Sequence, residues 1–86
     1  MPELCRFYGI VIVLRYREHP PPHFHAKYQE HEATVDMQNL RVTEGYLPNR
    51  AQTLVLEWAS QHREELLEAW NTARSGQSPS KIAPLE

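Results

Sequence analysis

Apolar positions recur at every second residue through the first half of the chain and at helical spacing through the second. Phe7 to Tyr16 reads Phe-Tyr-Gly-Ile-Val-Ile-Val-Leu-Arg-Tyr, a β-branched run with apolar residues on both alternating faces. That pattern predicts a central strand covered on at least one side. Glu18-His19-Pro20-Pro21-Pro22 ends it, because three prolines fix φ and remove three amide donors. His23 to Tyr28 and Glu32 to Met37 then alternate polar with apolar. The pair predicts a hairpin with Phe24, Ala26, Tyr28, Ala33, Val35 and Met37 inward and His23, His25 and Asp36 on a solvated face. A two-residue turn at Gln29-Glu30 sets Lys27 opposite Glu32, His25 opposite Thr34 and His23 opposite Asp36, whereas a four-residue turn sets His25 opposite Asp36. Either register seats one histidine beside Asp36.

Gln38-Asn39 predicts a turn into a short edge strand at Leu40 to Thr43, and Pro48 suits the first position of a helix. From Asn49 to Arg74 one stripe runs through Ala51, Leu54, Val55, Trp58, Ala59, His62, Leu66, Ala69, Trp70 and Ala73. It predicts one long amphipathic helix, or two broken near Ser60, with Trp58 central and His62 as a hydrogen-bonded core histidine. An unbroken helix would span roughly 40 Å and overhang a small sheet. Leu56 and Leu67 lie off the stripe and predict an apolar patch open to a partner. The expected architecture is α+β: a small, mainly antiparallel meander of three to four strands, covered on one face by a long C-terminal helix. Residues 1–76 form the expected domain, and 77–86 a partly ordered tail in which Ile82 and Leu85 are the anchors.

The length of 86 residues sets the scale, because a chain this short fills a single core. A net charge of -2 argues against extended nucleic-acid binding, which draws its affinity from basic excess. The charge is uneven, however. Residues 1–29 carry Arg6, Arg15, Arg17 and Lys27 against Glu3 and Glu18. Cys5 is the only cysteine, the N-terminus lacks the pattern of a signal peptide, and the longest apolar run, Ile10 to Leu14, is too short for a bilayer. The expectation is a cytoplasmic protein with no membrane span and an inert thiol.

Candidate chemistry concentrates at His23 and His25. Spaced i, i+2 on a strand, both imidazoles point to one face, a geometry that chelates a divalent metal once a third ligand joins from His19, Asp36, Glu32 or His31. Two imidazoles and a carboxylate match the donor set of non-haem iron and hydrolytic zinc sites. Without a metal, His23, His25 and Asp36 form a candidate catalytic set, since a carboxylate that orients an imidazole supports general acid and base work. Arg15, Arg17, His19 and Lys27 are the candidate ligand-binding residues for a phosphate or carboxylate. A structural role for the histidines is the third reading. Placed on a solvated face, both histidines are expected to accept Gln within about 1 kcal/mol of stability.

Arg6-Phe7-Tyr8-Gly9-Ile10, Pro21-Pro22-His23-Phe24-His25-Ala26, Leu47-Pro48, Glu57-Trp58, His62-Arg63-Glu64-Glu65-Leu66 and Lys81-Ile82-Ala83-Pro84-Leu85 together resemble a bacterial family, domain of unknown function 4160. The resemblance implies a short cytoplasmic protein encoded beside another small protein, paired in the manner of toxin and antitoxin. Members of the family commonly carry Gly in the hairpin turn. Gln29-Glu30-His31 here counts against the two-residue turn, because Gln and Glu tolerate positive φ poorly. Residues and resemblance together give a binding or regulatory module that acts as a homo-oligomer or with its co-encoded neighbour. The alternative is a small histidine-dependent enzyme, a nuclease-like toxin or metal-assisted hydrolase, working through His23 and His25.

Overall fold

The computed structural model describes residues 2–86. Five strands, β1 (Glu3–Phe7), β2 (Ile10–Val13), β3 (His23–Tyr28), β4 (His31–Asp36) and β5 (Arg41–Gly45), are followed by α1 (Asn49–Gln61) and α2 (Arg63–Arg74). The strands form one antiparallel meander in sequence order. The α+β architecture holds, but two of its parts differ from the sequence expectation.

The run expected as one strand from Phe7 to Tyr16 is a hairpin end followed by a strand. Phe7 pairs with Ile10 across Tyr8-Gly9, and both turn residues have positive φ, +49° and +79°. Glycine meets that requirement at no steric cost, so a two-residue hairpin forms where the apolar pattern runs on unbroken. The partner strand β1 carries a bulge between Glu3 and Cys5, which scrambles its alternation. The sheet therefore has five strands rather than three to four.

The second difference is the helix. An unbroken helix from 49 to 74 would run about 39 Å, beyond the molecule's greatest extent of 33 Å. Instead the chain breaks at His62, whose φ and ψ of -133° and 31° leave the helical region. The break lies two residues past Ser60. His62 is half-buried, with its ring 5.5 Å from that of Trp58 and its Nδ1 bonded to Glu65 at the start of α2.

The inward face of the sheet presents Ile10, Ile12, Phe24, Ala26, Ala33 and Val35, all essentially inaccessible, while Tyr28 is only half-buried. Against this face α1 sets Trp58, fully buried as expected, with its ring 5.7 Å from Phe7 and edge-on to Phe24 at 5.8 Å. The indole Nε1–H donates to the Ala83 carbonyl at 2.8 Å. The Ile82 amide donates to Leu4 O at 3.0 Å on the outer edge of β1, and Ile82 and Leu85 both join the core. No helix among the described residues is long and apolar enough to cross a membrane.

Candidate functional site

The β3–β4 turn spans two residues, with Tyr28 paired to His31 and His23 to Asp36. Gln29 accepts φ +55°, so the two-residue register is the one adopted although Gln29-Glu30 counts against it. The pleat places His23 and His25 on the face opposite Phe24 and Ala26, but this face is not solvated at His25, which is 3% exposed. The connection between β2 and β3 folds over it. Its path is tied down where the Arg17 amide donates to the carbonyl of Ala73 near the end of α2, at 3.3 Å, and the triproline then returns the chain to the start of β3. Glu18, between those two constraints, is thereby delivered onto the histidines.

The resulting cluster is compact. His25 Nε2 lies 2.8 Å from Glu18 Oε1, His23 Nε2 lies 3.1 Å from Glu18 Oε2, and the two imidazoles stand edge to face at 5.3 Å. One donor atom from each of Glu18, His23 and His25 falls within 4.8 Å of the others. Trp70 of α2 closes one side, with its ring 5.0 Å from that of His23. Burial pushes the Glu18 carboxyl up, but hydrogen bonds from His25 and His23 and their positive charge outweigh it and hold the group below its ordinary value.

The hydrogen-bond directions can be read from the acceptors. His23 Nδ1 lies 2.8 Å from the Pro21 carbonyl, which only accepts, so Nδ1 carries a proton. Its Nε2 faces a Glu18 carboxylate oxygen at 3.1 Å, which also only accepts. His23 thus satisfies both neighbours as the imidazolium, or with a cation standing where the Nε2 proton would be. His25 differs. Its Nε2–H donates to Glu18, and its Nδ1 lies 3.4 Å from the Thr34 hydroxyl and 3.7 Å from Glu32 Oε2.

The other expected site residues are dispersed. Asp36 sits opposite His23 in register, yet its carboxylate accepts the amides of Gln38 (3.1 Å) and Asn39 (3.3 Å) and the Asn39 side chain (2.9 Å). Burial raises its pKa, but these bonds and the charge of Arg41 bring it below the ordinary value. Asp36 is engaged as a turn cap, and the carboxylate on the histidines is Glu18. Arg15 pairs with Glu32 at 2.8 Å and reaches the cluster only through that residue. Arg17 lays its guanidinium against Gly76, and Lys27 lies further along β3, opposite Val11 and Glu32. His19 lines the rim of an open basin of about 530 Å³ shared with His23, Asp36 and Arg41.

Glu18 escapes a reading by strand spacing because it belongs to no strand. The available signal is the triproline itself, a stiff return path that sets the residue before it near the start of the next strand. Residues 9–71, a span that holds Glu18, His23 and His25, match the family model described as a domain of unknown function, DUF4160. No curated protein and no solved structure matches the chain.

Proposed function

The chain belongs to that family, the DUF4160 domains, and from this premise we propose that it is a divalent-metal-binding protein whose ligands are His23 Nε2, His25 Nε2 and the Glu18 carboxylate. The observation that carries the reading is the 2.8 Å contact of His23 Nδ1 with the Pro21 carbonyl. A metal-bound histidine characteristically donates its other ring N–H to a carbonyl or carboxylate, and His23 already does so to Pro21. Thr34 and Glu32 stand in the equivalent place at His25.

The spacing supports the same reading. Two donors bound at about 2.1 Å around a tetrahedral or octahedral ion stand roughly 3.0 to 3.4 Å apart. His23 Nε2 and Glu18 Oε2 stand 3.1 Å apart, His25 Nε2 and Glu18 Oε1 at 2.8 Å open slightly to admit an ion, and one donor from each residue lies within 4.8 Å of the others. Two imidazoles and a carboxylate favour zinc or iron(II) over magnesium or calcium, and three protein ligands leave positions for water or a bound molecule. The partly exposed side is that of Glu18 and His23, whose side chains are 23% and 17% accessible, and His23 borders the basin. This arrangement suits a metal-assisted hydrolytic site better than a metal-free histidine enzyme, because His25, with 4% of its side chain accessible, has no room to exchange protons with a substrate.

The test is equilibrium dialysis of the purified protein against Zn²⁺, Co²⁺ and Fe²⁺ with metal analysis. The expected result is one equivalent bound, lost in Glu18→Gln and in His23→Gln and retained in Asp36→Asn. Absence of stoichiometric binding in the folded wild-type protein contradicts it. A partner-binding role is the second reading, favoured by Tyr8, Tyr46 and Leu67, which stand 61%, 60% and 40% exposed. Mixing with the co-encoded small protein followed by light scattering tests it, with a joint species expected.

A further inference from the structure

Along the flank of α1 that carries Arg50, Leu54 and Glu57, a groove of about 280 Å³ runs between the helix and the hairpin tips. Its walls are apolar: Tyr8 and Tyr28 from the strands, Leu54 from the helix, and Leu85 from the tail. Its ends are charged with opposite sign. Arg50 stands at one end, and Glu57, two helical turns on and about 10.5 Å away along the axis, stands at the other. Glu86 lines the groove and also shares a second depression with Glu57, so it reinforces the acidic end. Arg50 and Glu57 are exposed, and neither forms a salt bridge among the described residues.

A surface that is apolar at its centre, basic at one end and acidic at the other complements itself when turned through 180°. We propose that this face joins two copies of the chain about a two-fold axis passing near Leu54, with the two α1 helices antiparallel. Arg50 of each copy then meets Glu57 and Glu86 of the other, and Leu54 and Tyr8 are withdrawn from water. A two-fold interface requires such self-complementarity, with the same patch used on both sides. Tyrosine suits the setting, since its ring buries apolar area while its hydroxyl stays hydrated at the rim. The charges select the antiparallel alignment, because a parallel one sets Arg50 against Arg50 and Glu57 against Glu57. The surface is separate from the Glu18–His23–His25 cluster, and this proposal stands or falls independently of metal binding.

Sedimentation velocity over a concentration series reads the result. The wild-type chain is expected to dimerise. Arg50→Glu and Glu57→Arg, both at exposed positions and checked for folding by circular dichroism, should each weaken the dimer at least about tenfold, since each creates two like-charge contacts. An equimolar mixture of the two variants should recover association as a heterodimer, because every cross-pair is then of opposite sign. A wild-type monomer at all concentrations, a dimer indifferent to both reversals, or a mixture that stays monomeric each overturns the proposal.

Discussion

The β3–β4 hairpin excludes water on both of its faces, across the apolar centre of one and at His25 on the other, but by opposite means. Phe24, Ala26, Ala33 and Val35 are covered by apolar side chains of the core around Trp58, so water is excluded by shape and hydrophobicity alone. On the other face His25 is excluded by an imidazole, an indole and a carboxylate carried in on a proline-stiffened loop. Every inaccessible side-chain polar atom among the described residues has a hydrogen-bond partner. The first face is indifferent to pH and ions. The second is held by charges, and its stability depends on whichever proton or cation sits between Glu18 and His23.

The largest effect should come from the apolar face. Trp58→Ala removes the central indole together with its bond to Ala83, and is expected to cost about 3 to 5 kcal/mol, enough to unfold a domain this small in urea or on heating. A variant with an unchanged denaturation midpoint breaks the comparison at its firmer end. On the polar face, His25→Gln should cost about 1 to 3 kcal/mol, because Gln cannot serve Glu18 and Thr34 at once and a buried partner is left unmet. This replaces the expectation of near-neutral substitution at both histidines. His23→Gln, at the more accessible ring, should cost less in the same urea titration.

A smaller effect separates the faces by pH. The Glu18 carboxyl is held below its ordinary value of 4.5 in the folded chain. Its contribution is therefore fully present above about pH 4.5, and is lost as the pH falls through the lower, folded value, where the unfolded chain binds the extra proton first. Asp36 contributes in the same direction. Urea midpoints measured from pH 6 downward should fall less steeply in Glu18→Gln than in the wild-type chain. Parallel slopes would show that the cluster carries no charge-dependent stability. The least perturbing probe is Cys5, buried beneath the sheet edge with its thiol pushed up to about 12 by burial. It should resist alkylation at neutral pH in the folded chain and react on unfolding.

The apolar face was largely legible in the sequence, because period-two alternation at Phe24, Ala26, Ala33 and Val35 and helical spacing at Val55 and Trp58 are local signals. What escaped was non-local or locally ambiguous. The Tyr8-Gly9 turn hides inside a run with no polar break, whereas a helix broken near Ser60 is one of two readings of the stripe and the bend falls two residues on, at His62. The histidine pair is visible in the sequence, whereas cross-strand register points to Asp36 as its carboxylate in a metal-free set and leaves His19, Asp36, Glu32 and His31 open as a metal's third ligand. Asp36-Met37-Gln38-Asn39 carries the opposing signal, an aspartate positioned to cap the following amides. Glu18 reaches His25 from seven residues upstream through a loop whose path depends on α2, and no strand spacing encodes that.

The central claim is that a cation takes the place of the His23 proton, and a cobalt titration followed by visible absorption tests it most directly. Co²⁺ bound by two imidazoles and a carboxylate should give ligand-field bands that saturate at one equivalent, release protons to a weakly buffered indicator, and vanish in Glu18→Gln. A folded wild-type chain that gives only the spectrum of hydrated Co²⁺ at every ratio would show that the cluster is a closed ion-pair clip between loop and sheet, and would contradict the account.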